Sequence, residues 1–277
     1  MSIANTSNTH LTNENIVHIP LDELHPPDFH PFHLKDDEAM NNLVENIKEN
    51  GVLVPGIVRR RADGGYELVV GNRRKRACEL AGLLSMPAII REMDDDTAAI
   101  VMVDTNLEQR EKLLPSERAW AYWAKMQALG HKGIKGEKHS VDILVEQTGE
   151  KRSQIFRLMR LTELIIELMD KVDTKQLSLS PAVELSHLSK SEQIVVLSAM
   201  EDYGIKPSHA QALHLKKLKQ ANELTNEKIY AILSKNKSYV KSDIDIKQYR
   251  QFFPVGYTLK EMDSVIVELL QNWQSTL

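Results

Sequence analysis

The sequence has one cysteine, Cys78, and no apolar run as long as a membrane-spanning helix. A lone cysteine excludes an internal disulfide and favours a reducing compartment, so we expect a cytoplasmic protein. A transmembrane helix needs roughly 18 or more apolar residues in succession. We therefore predict no membrane association. The opening residues are polar and lack the pattern of a secretory leader, so we predict a flexible arm over 1–15.

An excess of positive charge is also absent, because 35 Lys and Arg face 39 Asp and Glu, for a net charge of −4. This balance argues against a protein that coats nucleic acid without specificity. A sequence-specific DNA-binding protein needs only a local basic face, however. The basic residues are indeed clustered, at 59–61, 73–76, 151–160 and 216–219.

Hydrophobic periodicity divides the chain into two parts. Up to residue 91, β-rich runs and amphipathic helical segments follow the order β-α-β-β-α-β, which is typical of a small mixed α/β domain. From residue 96 onward the pattern is almost wholly helical. We predict an α+β protein with a mixed α/β domain over 16–112, an all-α domain over 113–222 and a helical C-terminal segment over 223–277.

A glycine between a predicted strand and a predicted helix begins the first functional motif. The backbone N–H groups at a helix N-terminus and the positive end of its dipole favour anions, and arginines add bidentate phosphate contacts. The motif predicts a phosphate-binding site, with a solvated basic helix face as the alternative. Its residues are Gly71, Asn72, Arg73, Arg74 and Arg76.

Polar side chains end the next predicted helix. Oxygens of Asn, Gln and Glu can hold a hydrated Mg²⁺ against a triphosphate, so Asn106 and Glu108 are candidate metal ligands. The alternative is a polar helix end that precedes the helix beginning at Pro115. The residues concerned are Asn106, Glu108, Gln109 and Arg110.

The third motif has the spacing of a helix-turn-helix. Val145 packs the first helix, Gly149 permits the turn, and Ile155 and Leu158 seat the second helix. Gln and Arg on the outer face can read base edges, while Lys and Ser hold phosphates. A helical hairpin with a polar surface is the alternative. The predicted DNA-binding residues are Lys151, Arg152, Ser153, Gln154, Arg157 and Arg160.

Three segments, read in order, resemble the conserved boxes of the ParB partition-protein family. They are ENGVLVPGIVR at 49–59, GNRRKRA at 71–77 and TNLEQREKLLPSERA at 105–119. With the helix-turn-helix they cover about residues 16–190, and they look especially like the ParB-domain proteins of Gram-positive plasmids and integrative elements. The resemblance implies a ParB/sulfiredoxin-like N-terminal domain followed by a helix-turn-helix domain.

The same resemblance implies a nucleotide-dependent DNA-binding protein of plasmid or chromosome partition or replication control. In that family the N-terminal domain binds CTP with Mg²⁺ and can close as a clamp on DNA, and a ParA-type ATPase is the expected partner. By position, the motif arginines would face the phosphates, and Asn106 with Glu108 or Gln109 would lie near the metal. Gly51 and Pro55 would shape the cytidine side.

Two positions depart from the family pattern. Asn72 stands where the family has an acidic residue in its GERR box, and Thr105 stands where its ENLQR box begins with one. Because carboxylates there would help to hold the metal, we expect CTP binding with weak or absent hydrolysis. The catalytic cysteine position of the related sulfiredoxins is Asn72 here, whereas Cys78 lies among apolar neighbours and is predicted to be core.

Two rival functions remain. Some ParB-domain proteins are nucleases, but the sequence lacks a carboxylate–lysine or His–Asn pattern for phosphodiester cleavage, and it assigns no catalytic residue. A plain transcription regulator would share the helix-turn-helix without needing the GNRRKRA segment. Two weaker features are a histidine-rich loop that could bind a metal and an aromatic run that we expect to pack the core. They comprise His25, His30 and His33, and Trp120, Tyr122 and Trp123.

The C-terminal segment carries an apolar stripe that must be buried somewhere. A capping box, Thr258 with Glu261, precedes it. Symmetric DNA sites favour two-fold partners, so we predict a homodimer to which this helix contributes. The alternative is that the helix folds back on Tyr249, Phe252 and Phe253. The stripe consists of Met262, Ile266, Leu269, Leu270 and Trp273.

Overall fold

The computed structural model describes residues 15–109, 113–132, 140–234, 252–254 and 259–274. All but the last residue of the predicted arm over 1–15 lies outside these ranges, as do Arg110 and Thr258. Within the ranges the chain forms five strands and twelve α-helices. None of the described helices has the length and apolar character needed to cross a bilayer.

The N-terminal part is a mixed sheet with two helices. The sheet has the order β1-β5-β3-β4-β2, in which β1 with β5 and β3 with β4 are antiparallel and the other two pairs are parallel. The order of elements confirms the predicted α/β domain. Its elements are β1 (Ile16–Pro20), β2 (Leu24–His25), α1 (Glu38–Asn50), β3 (Gly56–Arg60), β4 (Tyr66–Val70), α2 (Asn72–Leu80) and β5 (Ser85–Ile90).

Local chemistry fixes where these elements begin and end. Asp37 caps α1, because its side chain accepts a hydrogen bond from the backbone N–H of Met40 at 3.0 Å. Gly51 ends the same helix with φ of +69°. The β-rich run after it becomes a strand only from Gly56, because Pro55 has no N–H to donate and Leu53 and Val54 are exposed.

The remaining described part is helical. Pro181 lies in the first turn of α8, where a proline is tolerated. The helices are α3 (Asp95–Gln109), α4 (Pro115–His131), α5 (Ser140–Thr148), α6 (Arg152–Arg160), α7 (Ile166–Asp173), α8 (Leu179–Leu185), α9 (Lys190–Tyr203), α10 (His209–Gln220), α11 (Asn226–Ser234) and α12 (Leu259–Gln274).

Helix α4 contributes to two hydrophobic clusters. Ala121 and Ala124 pack with residues of β4 and α3, whereas Ala119 and Tyr122 belong to the core of the following helices. Tyr122 is only 1% exposed, which confirms its predicted place in the core. The helical core extends beyond the predicted boundary at residue 222, because Leu233 of α11 is buried in it.

Helix α12 presents an apolar surface to the outside. Leu269, Leu270 and Trp273 are each more than half exposed, while Met262 is buried. The apolar stripe therefore exists, and no described segment covers most of it. The exposed part of the stripe is accessible to a second chain, as the predicted dimer requires.

Cys78 gives a direct test of the N-terminal core. Its side chain is fully buried, and burial raises the pKa of its thiol. Because the thiolate is the reactive form, we expect Ellman's reagent to leave the native protein unlabelled at pH 8 and to label one thiol per chain in guanidinium chloride. Rapid labelling of the native protein would contradict the described packing.

Candidate nucleotide pocket and DNA-binding surface

The turn from β4 into α2 has a conformation that requires glycine. Gly71 has φ of +120°, and a Cβ placed there would lie 3.3 Å from Cα of Gly56. Any side chain would therefore be strained and would press on β3. The close turn brings the first backbone N–H groups of α2, beginning at Asn72, to the edge of the sheet, which is the anion-binding arrangement that the sequence predicted.

A cavity of about 310 Å³ lies at this helix N-terminus. Five of the predicted nucleotide-binding residues line it: Gly71, Asn72, Arg73, Arg74 and Asn106. No Asp or Glu is among the described residues that line it, and the two arginines give this lining a positive charge. The other lining residues are His30, Leu43, Val69, Val70 and Thr105.

Arg74 is the better fixed of the two cavity arginines. Its Nη1 donates hydrogen bonds to the carbonyl oxygens of Val54 and, at 2.6 Å, of Pro55. Burial lowers the pKa of Arg74, yet a guanidinium stays charged in proteins. Arg73 lies 3.9 Å from a carboxylate oxygen of Asp37. Pro55 thus acts on the cavity by holding Arg74.

His30 enters the cavity from the proline-rich loop. Its Nδ1 lies 2.9 Å from the carbonyl oxygen of Phe32, and because a carbonyl only accepts, Nδ1 carries the proton. The Nε2 of the neutral ring then accepts a hydrogen bond from Nδ2 of Asn72 at 3.2 Å. The backbone N–H of His33 instead donates to a carboxylate oxygen of Glu117 on α4 at 2.8 Å, and His25 lies on β2. The three histidines therefore have separate surroundings.

Several predicted nucleotide-site residues do not line the cavity. Arg76 is turned away from it and pairs with Asp36 at 2.6 Å and with Glu79, and the hydrogen bond that Arg76 donates to Asp36 raises the pKa of Arg76. Glu108 is exposed. The remaining predicted residues outside the described lining are Gly51 and Pro55, while the side chain of Gln109 and all of Arg110 lie outside what the structure describes.

Helix α3 supplies the opposite wall. Thr105 Oγ1 and Asn106 Nδ2 each donate to a carbonyl one turn back on the helix, at 2.8 Å. The Asn106 carboxamide oxygen is therefore the part of that side chain left to accept or to ligate. Among the described residues, no three His, Cys, Asp or Glu side chains are arranged to hold a metal ion.

A larger cavity of about 520 Å³ lies between the sheet, α3 and α4. Its walls include Phe29, Met102 and Trp123, and Arg59 is the one arginine among the described residues that line it. That guanidinium already pairs with Glu67 at 2.8 Å and with Asp95 at 2.6 Å. The smaller cavity, whose described lining has two arginines and no carboxylate, is thus the better phosphate site.

The helix-turn-helix has the geometry that its spacing predicted. Helices α5 and α6 are joined through Gly149, whose φ is +70°, and Ile155 and Leu158 are buried in the helical core. Val145 is only partly buried, and its neighbour Leu144 fills the interior instead.

The outer face of α6 carries the predicted DNA-binding residues. Lys151 is the N-cap residue, and the side chain of Arg152 lies 3.7 Å from Asp142 of α5. Arg157 donates to Ser180 Oγ at 2.9 Å, while Arg160 donates to the side chain and carbonyl oxygens of Ser186. Lys151, Arg152, Ser153 and Arg157 are exposed, and Gln154 and Arg160 are half-buried.

One exposed residue of α6 was missed. Phe156 is 49% exposed between the polar residues of this face. Its position could have been noticed in the sequence, because adjacent residues of a helix point to different sides and Ile155 was the predicted core residue. An apolar side chain there suits contact with a thymine methyl group.

The comparisons with known proteins agree with this architecture. Residues 5–107 match the model of the ParB N-terminal domain. The chain is 31% identical to the chromosome-partitioning protein Spo0J of Thermus thermophilus over 202 residues, which are 73% of this chain and 71% of that protein. It is 28% identical to the stage 0 sporulation protein J of Bacillus subtilis, over 96% of this chain and 94% of that protein.

Among solved structures, similarity extends to a C-terminally truncated ParB from Caulobacter crescentus complexed with CTP-gamma-S. The match has 28% identity and a TM-score of 0.33 and covers 64% of this chain and 94% of that one. The match to the family model includes the Gly71 turn and both cavity arginines, and the Spo0J relatives extend the similarity well beyond that domain. The chain belongs to the ParB family of chromosome-partitioning proteins.

Proposed function

We propose that the chain is a sequence-specific double-stranded DNA-binding protein of chromosome or plasmid partition, controlled by CTP bound in its N-terminal domain. The observation that carries the proposal is the cavity at the start of α2, whose described lining includes Arg73 and Arg74 and no carboxylate. A plain transcription regulator has no need of such a cavity beside its helix-turn-helix. Replication control on a mobile element is a second process that a nucleotide cavity combined with a helix-turn-helix would suit.

The cavity chemistry suits a nucleoside triphosphate. Free N–H groups at the start of α2 and the two guanidinium groups favour phosphates. Leu43, Val69 and Val70 supply an apolar wall that suits a planar base. The preference for cytidine rests on membership of the family. Gly51 and Pro55, which the resemblance puts on the cytidine side, would act through the loop that holds Arg74.

Magnesium would be held mainly by the phosphates and water. Of the two predicted ligands, the carboxamide oxygen of Asn106 belongs to a cavity-lining residue, whereas Glu108 is exposed outside the lining. Mg²⁺ commonly keeps several waters and takes few protein ligands. Because Asn72 and Thr105 stand where the family has acidic residues that would help to hold the metal, we expect CTP binding with weak or absent hydrolysis.

Nucleotide protection against heat tests the proposal. A ligand at about 100 times its Kd stabilises the folded state by about 2.7 kcal/mol, which corresponds to a rise in melting temperature of roughly 5–10 °C for a domain of moderate size. We expect CTP with Mg²⁺ to produce this shift and ATP and GTP to produce little. Equal protection by all three would reject cytidine selectivity. No protection by any of them would reject the nucleotide site.

On the DNA side, we propose that α6 lies in the major groove. Gln154 and Arg157 would read base edges, Lys151, Arg152 and Ser153 would hold phosphates, and Arg160, already bonded to Ser186, would mainly orient the helix. The working form would be a homodimer associated with the nucleoid or a plasmid. A ParA-type ATPase would be its partner.

The dimer gives a further prediction. Truncation after Pro254 removes α12 with its exposed Leu269, Leu270 and Trp273, so we expect sedimentation to change from dimer to monomer while the other domains stay folded by circular dichroism. A polar variant, Leu269→Glu with Leu270→Glu, should do the same in the full chain. If the truncated protein still sediments as a dimer, the interface lies elsewhere.

A further inference from the structure

Lys125 is a buried cation at the meeting point of three helices. Its side chain on α4 is 3% exposed. The ammonium group donates to a carboxylate oxygen of Asp104 on α3 and to the amide oxygen of Gln147 on α5, the latter at 2.5 Å. Gln147 closes a triangle, because its Nε2 donates to the same Asp104 oxygen at 3.1 Å. We call these three residues the Lys125 triangle.

The partners of Lys125 belong to the two sites described above. Asp104 directly precedes Thr105 and Asn106, which line the nucleotide cavity. Gln147 lies on the first helix of the helix-turn-helix, two residues before the Gly149 turn. The Lys125 triangle thus connects the wall of the cavity with the DNA-binding unit by three hydrogen bonds.

A buried ammonium group makes this connection sensitive to geometry. Lysine is almost never fully buried unless it is paired, because the desolvated charge is costly without its partners. Apolar contacts tolerate sliding between helices, whereas hydrogen bonds to a buried charge require specified distances and angles. A shift of α3 relative to α5 would either break the triangle or carry the partner helix with it.

We propose that Lys125 is a positioning residue that couples the nucleotide cavity to the helix-turn-helix, so that CTP and DNA alter each other's affinity through the Lys125 triangle. The inference rests on the proposed function, since it needs both ligands. Coupling of this kind is reciprocal: the factor by which DNA changes the Kd for CTP equals the factor by which CTP changes the Kd for DNA.

The test compares the Kd for CTP with and without a saturating DNA duplex, chosen by the wild-type protein from a random-sequence pool. We expect a change of about fivefold or more in the wild type, the lower end of common coupling factors. In Lys125→Met the change should fall below about twofold, while CTP alone and the duplex alone bind within about threefold of wild type. Arg118 still pairs with Glu150 at the helix-turn-helix in this variant, so α4 keeps a second attachment.

A folding control accompanies this variant. The double variant Asp104→Leu/Lys125→Leu replaces buried Lys125 and its partly exposed partner by apolar side chains. Folded proteins often tolerate such a replacement, and we expect the variant to fold and to lose the coupling. Lys132→Met is the matched control. Lys132 also joins α4 to the start of α3, through Asp94 and Thr97, but is not part of the triangle. Its coupling factor should equal that of the wild type.

The outcomes separate this inference from the proposed function. A full coupling factor in folded Lys125→Met or in the double variant would overturn the role of Lys125. A wild type that binds CTP and DNA independently would overturn the coupling and leave the proposed function intact. A wild type that binds no CTP would overturn both. An equal loss of coupling in Lys132→Met would reduce the effect to general loosening of α3 and α4 and would also reject the inference.

Discussion

Replacing Arg74 by alanine is expected to weaken CTP binding by about 10- to 150-fold, the range that corresponds to losing one hydrogen-bonded charge worth about 1.5–3 kcal/mol. The guanidinium has five N–H donors, and the two carbonyl contacts, from Val54 and Pro55, use only its Nη1. The rest of the fork is therefore available to phosphate oxygens, and the loop that holds it loses its anchor in the variant.

Two further variants make the Arg74 result specific. Arg74→Lys keeps the charge but loses the fork, so we expect an intermediate affinity. Arg76→Ala removes an arginine of the same helix whose side chain pairs with Asp36 outside the cavity, and its CTP affinity should stay near that of the wild type. Isothermal titration calorimetry measures all three. Wild-type affinity for CTP in folded Arg74→Ala would show that the cavity does not bind the nucleotide.

Replacing Arg157 on α6 is expected to have the second large effect. Loss of a base-reading side chain costs about 1–3 kcal/mol and relaxes specificity at one position. The Arg157 side chain is exposed, and its hydrogen bond to Ser180 holds it in place. We therefore expect Arg157→Ala to bind its preferred duplex about 5- to 150-fold more weakly while binding unrelated duplexes almost as before.

Fluorescence anisotropy with matched and scrambled duplexes measures both effects of Arg157→Ala. Lys171→Ala is the control, because Lys171 lies on α7 and pairs with Glu201 of α9 at 3.4 Å. An equal fall in affinity for matched and scrambled duplexes would make Arg157 a phosphate contact. Unchanged affinity for the preferred duplex would show that α6 does not contact DNA as proposed.

The features that could be predicted from sequence depend on neighbours in the chain. Gly71 and Asn72 follow a strand directly, so the phosphate-binding turn needs only local geometry. The helix-turn-helix is likewise set by spacing, because Gly149, Ile155 and Leu158 lie within ten residues of each other. The core position of the first helix is filled mainly by Leu144 and not by the predicted Val145, and this difference of one residue leaves the motif unchanged.

The features that could not be predicted depend on distant contacts. Arg74 and Arg76 are two residues apart on one short helix and so point to different sides, but which of them faces the cavity depends on distant partners, such as Asp36 in a remote loop, which pairs with Arg76. His30 reaches Asn72 across 42 positions of sequence. Lys125 reads as a surface lysine until α3 and α5 enclose it.

The most direct measurement is selection of DNA by the full chain from a random-sequence pool, with CTP and without nucleotide. DNA recognition through paired copies of α6 predicts enrichment of one motif with two-fold symmetry, and a nucleotide-controlled protein predicts that CTP changes the amount of that motif retained. Recovery of an unenriched pool under both conditions would contradict sequence-specific binding. Enrichment that is identical with and without CTP would contradict control by the nucleotide.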